Sequence, residues 1–364
     1  MTKVCAGIAA LAVGLQAGSL RGEPPRRDPV ADAIAYFKLV EEYRHGDSAG
    51  AIRTLITGKP EVILRAIPEV RKAAANPAGA NVPIRAILAA LPAAVMLHTE
   101  AGLYLNWNGE GARAWSQWTP AQILAEVDPT TREQSDFLRA WYRALGSFFL
   151  GSYLARDAVA LLERGLQRFP DDMAIALALG QACEARGTFA EGQILSARPN
   201  LLSDARRDLL TAERLYRDLL ARDPSLAEAR LHLGRVLDID GRSDAALIEL
   251  RQLGAASVEA RLRYMGHLFA GDLLRRQARL ADARDDFALA VEAWPGGQAA
   301  SLGLAEALQS LGEPEAASAL MAALEDREPV RPDPFRSYHF GDRVEQKRRL
   351  EAVKVMARGG GTMP

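Results

Sequence analysis

Residues able to do acid–base chemistry are dispersed along the chain. His98 and Glu100 stand two positions apart, and side chains at that spacing point to different faces of a helix. His232 and His267 lie in segments of helical periodicity, where we expect packed or groove-edge histidines rather than ligands. Adjacent carboxylates such as Asp171-Asp172 are typical of helix caps and solvated faces, not of an acid–base couple at a fixed gap. No constellation of side chains therefore argues for catalysis.

Motifs for cofactors and metals are also missing from the sequence. It contains no glycine-rich phosphate loop, no HExxH pair and no CxxC pair. The two cysteines, Cys5 and Cys183, have no metal-like neighbours. We therefore expect no cofactor, no metal site and no enzymatic activity. An enzyme with an unrecognised site near His98 and Glu100 is the least favoured alternative.

The charge balance limits the class of partner. The 364 residues include 45 basic and 46 acidic side chains, for a formal net charge of -1. This balance argues against a large surface that neutralises phosphates, so nucleic acid is not the expected partner. With 49% hydrophobic residues, the chain is long enough for a large core or a long solenoid.

The chain begins with a segment typical of a secretory signal. Lys3 supplies a short positive region, Val4–Leu15 is an apolar run, and the small residues Ala17–Ser19 offer a cleavage site. The apolar run is shorter than the roughly 20 residues of a spanning helix. We therefore predict a signal peptide over 1–20, an exported chain without an integral membrane span, and a proline-rich linker over 21–31. An uncleaved membrane anchor is the alternative.

Residues 32–138 show helical periodicity without a clear repeat signature. They are interpreted as degenerate repeats or as a cap on the elements that follow. The apolar stretch at the centre contains Pro92, which predicts a kinked or split helix. The predicted helices are Asp32–Arg44, Ala49–Ile56, Glu61–Ala74 and Pro83–Leu105.

The segment 106–129 holds three of the five tryptophans, Trp107, Trp115 and Trp118. The favoured interpretation is aromatic packing that seals the front of the following array. The alternative is an exposed stacking surface for a carbohydrate of the cell envelope, which requires accessible and coplanar rings.

A repeated unit of about 34 residues organises the chain from residue 139 to residue 329. Arg139–Asp172 shows it most clearly: Leu145-Gly146 lies on a first helix, Ala158 and Leu162 lie on a second, and Pro170 ends the unit. Three later units, at Met173, Ala227 and Gln298, each begin three residues after a proline, so the recurrence is not a coincidence of composition. The further units are expected to start at Met173, Ala227, Tyr264 and Gln298.

This pattern resembles the tetratricopeptide repeat family. The resemblance implies an all-α, right-handed superhelical solenoid of antiparallel helix pairs, with the first helices lining a concave groove. It departs from the family in the second unit, where an insertion near 187–204 is expected between the two helices. Residues 330–364 are predicted to form a cap helix over the last apolar face, with a disordered end; a docking tail is the alternative.

The resemblance also implies which side chains face the groove. They mix arginines with carboxylates and amides, which suits a peptide with its own charge pattern. Alternatively, they pair with each other on a solvated face. The groove candidates are Arg143, Ser147, Gln181, Glu184, Arg235, Asp238, Asp272, Arg275, Glu306 and Gln309.

The sequence thus favours a non-catalytic protein-interaction scaffold. Its expected partner is another protein or a peptide segment, held in the concave groove of the array. The carbohydrate-binding module based on 106–129 and the enzyme with an unrecognised site are the alternatives.

Overall fold

The computed structural model describes residues 28–58, 60–194, 199–254, 258–325 and 332–359. These residues form seventeen α-helices and three short 3-10 helices, with no strand among them. The all-α fold class predicted from the sequence is therefore confirmed. The expected signal peptide over 1–20 and most of the linker lie outside the described residues.

Six helices precede the repeats, and acidic or amide side chains begin three of them. Asp28, Asp47 and Asn81 each accept a hydrogen bond from a backbone N–H of the following turn. Their positions agree with the four predicted helices, the last of which is divided in two. The helices are α1 (Pro29–His45), α2 (Ser48–Thr57), α3 (Pro60–Ala74), α4 (Val82–Ala89), α5 (Leu91–Trp107) and α6 (Gly111–Ala125).

The apolar stretch before residue 107 is split at Ala90, as Pro92 predicts. Pro92 stands in the first turn of α5, where its missing N–H costs nothing, and α4 and α5 meet at an angle of 76°. No single helix in the described ranges is long and apolar enough to cross a membrane, and this bent pair meets the criterion only jointly. Most of α5 is buried inside the protein.

Ten helices form the repeat array, and each packs against the next along the chain, giving a helical solenoid. Three of the predicted starts, at residues 173, 227 and 298, coincide with the first residue of a helix. The helices are α7 (Arg132–Gly151), α8 (Ala155–Arg168), α9 (Met173–Ile194), α10 (Pro199–Arg222), α11 (Ala227–Ile239), α12 (Ser243–Arg251), α13 (Ala260–Arg276), α14 (Leu280–Ala293), α15 (Gln298–Ser310) and α16 (Pro314–Glu325).

Close helix approach within several of the helix pairs depends on a glycine in the first helix. A Cβ at that glycine would collide with a large side chain of the second helix. In four pairs the large residue follows the glycine by sixteen positions, and one of these pairs is α5–α6, before the predicted array. The four are Gly102 with Trp118, Gly146 with Leu162, Gly234 with Leu250, and Gly271 with Phe287.

The second repeat keeps the same contact over a longer separation. Gly180 lies against Tyr216, thirty-six positions later. The twenty extra residues were expected as an insertion between the helices near 187–204. Instead they mainly lengthen the helices themselves, so that α9 has 22 residues and α10 has 24. Residues 195–198, between the two helices, lie outside the described part.

The chain ends in α17 (Arg343–Ala357), whose start is capped by the side chain of Asp342. The sequence predicted this helix but misplaced it. It does not cover α16; it packs on α7 and α5, at the opposite end of the array. The reason is that α17 has its own apolar stripe of Leu350, Val353 and Ala357, which is buried there.

Replacing Gly271 by alanine is expected to destabilise the protein by about 1–3 kcal/mol, because the added methyl group would meet the buried ring of Phe287. Gly111→Ala is the matched control, since Gly111 also lies in a helix but has nothing within 4 Å of its Cβ position. Urea titrations measure the unfolding free energy of both variants. Equal values would show that close approach at Gly271 is not required.

Candidate functional site

The C-terminal residues 332–359, here called the strap, cross the concave side of the array. At one end Asp333 accepts hydrogen bonds from the backbone N–H of Ala299 and from the hydroxyl of Tyr264, both at 2.8 Å. At the other end Lys354 forms an ion pair with Glu100, with Nζ and Oε1 2.5 Å apart. The strap therefore links the fifth repeat to the helices that precede the array.

The centre of the strap is held by a stack of three rings. His232, on α11, lies between Tyr216 of α10 and Tyr338 of the strap, with ring centroids 5.5 Å and 4.9 Å away and interplanar angles of 23° and 22°. Phe269 of α13 contacts the edge of Tyr338 at 4.9 Å between centroids. Aromatic packing thus fixes the strap against three successive repeats.

Polar atoms in the same place form a closed network around Glu184. Its Oε2 lies 2.8 Å from Nδ1 of His232 and accepts a hydrogen bond of 3.0 Å from Tyr216. Its Oε1 accepts a hydrogen bond of 2.7 Å from the hydroxyl of Tyr338. On the other side of the imidazole, Nε2 lies 3.5 Å from the carboxylate of Glu228.

Electrostatics keep this network charged. Burial opposes protonation of His232, but the carboxylates of Glu184 and Glu228 outweigh it and raise the pKa of His232 to about 9. Burial likewise opposes ionisation of Glu228, but His232 and Arg261 lower its pKa to about 2. The pKa of Glu184 is also lowered, because the attraction of His232 outweighs burial. A histidine that is already protonated at neutral pH holds charge in place and does not act as a general base.

The strap divides the predicted groove into two pockets and a buried centre. Arg143, Ser147 and Gln181 line the front pocket, a cavity of about 620 Å³ between α7, α9 and α17. Glu184 and Asp238 are buried, and Gln309 is exposed outside both pockets. The rear pocket, of about 250 Å³, is lined by the remaining four candidates, Arg235, Asp272, Arg275 and Glu306.

Charges around the rear pocket largely satisfy each other. Arg235 donates to Asp238 at 2.6 Å, and Arg275 donates to Asp272 at 2.8 Å. Glu306 lies 3.8 Å from Arg275. At this end of the groove, the candidate residues therefore pair with one another, as the alternative interpretation expects.

Residues singled out for catalysis are not brought together. His98 is fully buried between Gln117 and the hydroxyl of Tyr36, each 3.1 Å from a ring nitrogen, and burial lowers its pKa to about 4. Glu100 instead faces α17 and Lys354. Cys183 is buried as well, which raises the pKa of its thiol to about 12 and leaves it unreactive.

The three tryptophans of segment 106–129 do not form a flat platform. Trp118 is fully buried, and Trp115 meets it edge-on, with an interplanar angle of 83°. Trp107 alone is exposed, at 69% of its surface, beside a cleft lined by Tyr104 and Tyr153. Trp115 and Trp118 therefore pack as the favoured interpretation expects. The three rings do not form the coplanar arrangement that a stacking surface requires.

Sequence reasoning missed the part of the site that the strap supplies. The sequence places Tyr338 in the predicted cap over the last repeat, and the groove candidates do not include Glu228 or Arg261. The aromatic cluster Phe335–Phe340 was the available signal, because such a run in a polar tail indicates a segment that packs onto something.

The stability of the protein is expected to fall as the pH rises from about 6.5 towards 9. Since the pKa of His232 is higher in the folded state than its ordinary value of 6.5, its contribution is complete below pH 6.5 and is lost through pH 9. The loss attributable to His232 is on the order of 3 kcal/mol. Urea unfolding at a series of pH values measures it.

His232→Gln should flatten this pH dependence, whereas His45→Gln, at an exposed histidine of α1, should leave it unchanged. If the His232→Gln variant loses stability with pH as steeply as the parent, the ion pair does not carry the effect.

Tyr338→Phe is expected to destabilise the protein by about 1–3 kcal/mol, because it removes the one described donor to the buried Oε1 of Glu184. Tyr104→Phe serves as the control, since Tyr104 is 54% exposed and its loss should change stability by less than about 0.5 kcal/mol. The comparison is made by urea unfolding at neutral pH. Indistinguishable variants would mean that the strap hydroxyl is dispensable.

The array is similar to a known repeat family. The tetratricopeptide repeat family matches residues 149–192, 204–260 and 268–333. A comparison with curated proteins finds no match.

Several solved structures resemble the chain. MamA AMB-1 is 20% identical, with 51% of this chain and 96% of that chain covered and a TM-score of 0.36. A monomeric IFIT1 mutant with m7Gppp-AAAA is 15% identical, with 90% and 72% covered and a TM-score of 0.49. The human IFIT1 dimer with m7Gppp-AAAA is 14% identical, with 82% and 72% covered and a TM-score of 0.44.

The matched ranges begin in α7 and include three of the glycine contacts, those of Gly180 with Tyr216, Gly234 with Leu250 and Gly271 with Phe287. Helix pairing, contact spacing and sequence similarity therefore agree. In these matched ranges the chain is similar to the tetratricopeptide repeat family.

Proposed function

We propose that this chain is a non-catalytic scaffold that binds an extended segment of another protein in the front pocket. The observation that carries the proposal is that the strap closes the centre of the concave groove and leaves this end open. First helices of two repeats, α7 and α9, form one wall of the front pocket, and α17 forms the other. Repeat arrays of this family present such concave surfaces for binding.

The shape of the front pocket suits a peptide. Its volume of about 620 Å³ is in the range of specific ligand pockets and can hold a few side chains. Four alanines of α7 and α9 line one wall, so the partner backbone can approach these helices closely. Ser147 and Gln181 add polar groups that can hydrogen-bond a peptide. The four alanines are Ala140, Ala144, Ala174 and Ala178.

We also propose that the scaffold works after export. The support is the signal-like sequence over 1–20, with its positive start, apolar run and small residues. In that setting the partner would be an envelope or secreted protein.

Photo-crosslinking in the producing cells tests the binding site. Benzoylphenylalanine placed at Ser147 should capture a discrete partner, because this side chain lies in the front pocket. The same group at Arg156, an exposed residue of α8 outside the pocket, should not. Both variants should show the circular dichroism of the parent. Equal capture at both positions, or capture only at Arg156, would contradict the proposal.

A further inference from the structure

The front pocket has an excess of positive charge. Its lining contains four arginines and two glutamates, and three of these residues come from the strap. The arginines are Arg143, Arg261, Arg348 and Arg349, and the glutamates are Glu228 and Glu345.

Both glutamates are already engaged. Glu228 pairs with Arg261, with Oε2 and the guanidinium nitrogen 2.5 Å apart, and it also faces the protonated His232. Glu345 pairs with Arg348 and with Arg349, each at 3.0 Å. Each carboxylate thus has two cationic neighbours, and neither is free to neutralise the fourth arginine.

Arg143 is that fourth arginine. Among the described residues no hydrogen-bond acceptor and no carboxylate reaches its guanidinium, and its Nε is buried. A guanidinium has five N–H donors, and leaving the buried Nε–H unpaired is costly. Arg276, on the first helix of the fourth repeat, shows the usual arrangement, since both carboxylate oxygens of Asp238 lie 2.7 Å from it.

We propose that the front pocket is a carboxylate site for an acidic segment of the partner protein, with Arg143 as its main contact. The inference rests on the proposed function and adds the chemical class of the bound segment. A planar carboxylate can accept two parallel hydrogen bonds from a guanidinium, which supplies the missing partner. Arg348 and Arg349 stand at the rim, 80% and 53% exposed, and favour the approach of a negatively charged chain.

The site is built jointly by the array and the strap. Arg143 belongs to α7, whereas Arg348 and Arg349 belong to α17. A bound acidic segment therefore contacts both α7 and α17. Binding of the segment stabilises the docked strap, and docking of the strap strengthens binding by the same free energy.

Fluorescence anisotropy with a labelled peptide of alternating glutamate and alanine tests the charge preference. The matched probe has glutamine in place of every glutamate. The full chain should bind the acidic probe at least about tenfold more tightly than the neutral probe. Raising the salt concentration should reduce this difference, because the rim arginines are exposed.

Arg143→Gln should weaken binding of the acidic probe by about tenfold to a hundredfold. Arg156→Gln, on α8 outside the pocket, is the control and should bind like the parent. A second variant, Arg348→Gln with Arg349→Gln, alters only exposed side chains and should weaken binding by a smaller factor. Because Arg143 has no described partner to lose, Arg143→Gln should unfold at a urea concentration no lower than that of the parent.

Equal affinity of the parent and Arg143→Gln for the acidic probe would overturn the inference. So would equal affinity of the parent for the two probes, but that result would leave the peptide groove in place. If neither probe binds while the crosslinker at Ser147 still captures a partner, the charge preference is wrong and the proposed function survives. If the crosslinker also captures nothing, both fail.

Discussion

The ion pair between Glu184 and His232 is the interaction on which the architecture of the concave side depends. Its side chains are only 2% and 4% exposed, and burying two charges is costly unless every polar atom is satisfied. Two of the partners come from the array: Tyr216 and Glu228. The partner of Oε1 comes from the strap, as the hydroxyl of Tyr338. The array thus carries a buried charge network that is completed only when the strap is docked.

The glycine contacts decide which side chains surround that network. In α9 and α11, the residue after the glycine faces the concave side, and so does the residue one turn later. Gln181 and Glu184 follow Gly180 in this way, and Arg235 and Asp238 follow Gly234. The same small residue that allows the helices to approach each other therefore also sets the register of the groove.

The parts of the fold and of the site that could be predicted from the sequence are those set by neighbouring residues. Helix starts, the proline split before α5 and the groove-facing positions are local features, governed by caps, prolines and helical periodicity. The α5–α6 pair could also have been assigned, because Gly102 and Trp118 show the sixteen-residue spacing of the later repeats.

The course of the strap could not be predicted in this way. Tyr338 meets Glu184 across 154 positions of sequence, and no local periodicity encodes a contact at that distance. The aromatic run in the tail indicates that it packs against another surface, but not which surface. The lengthening of α9 and α10 was hidden for another reason: Gly187, Gly192 and Pro199 have low helix propensity and favour a loop, whereas α9 continues through both glycines and α10 begins at Pro199.

The two pockets on either side of the strap differ because of what the strap brings to each. At the rear pocket it contributes mainly Phe335, and the array's own arginines and carboxylates are left to pair with one another. At the front pocket it contributes α17, whose charged face carries Arg348 and Arg349 with a single shared carboxylate, Glu345. The strap therefore neutralises none of the charge of Arg143 and adds a net positive charge opposite it. The strap closes the centre of the groove and leaves an excess of positive charge at the front pocket. It thereby determines where a partner can bind and that the partner must carry negative charge.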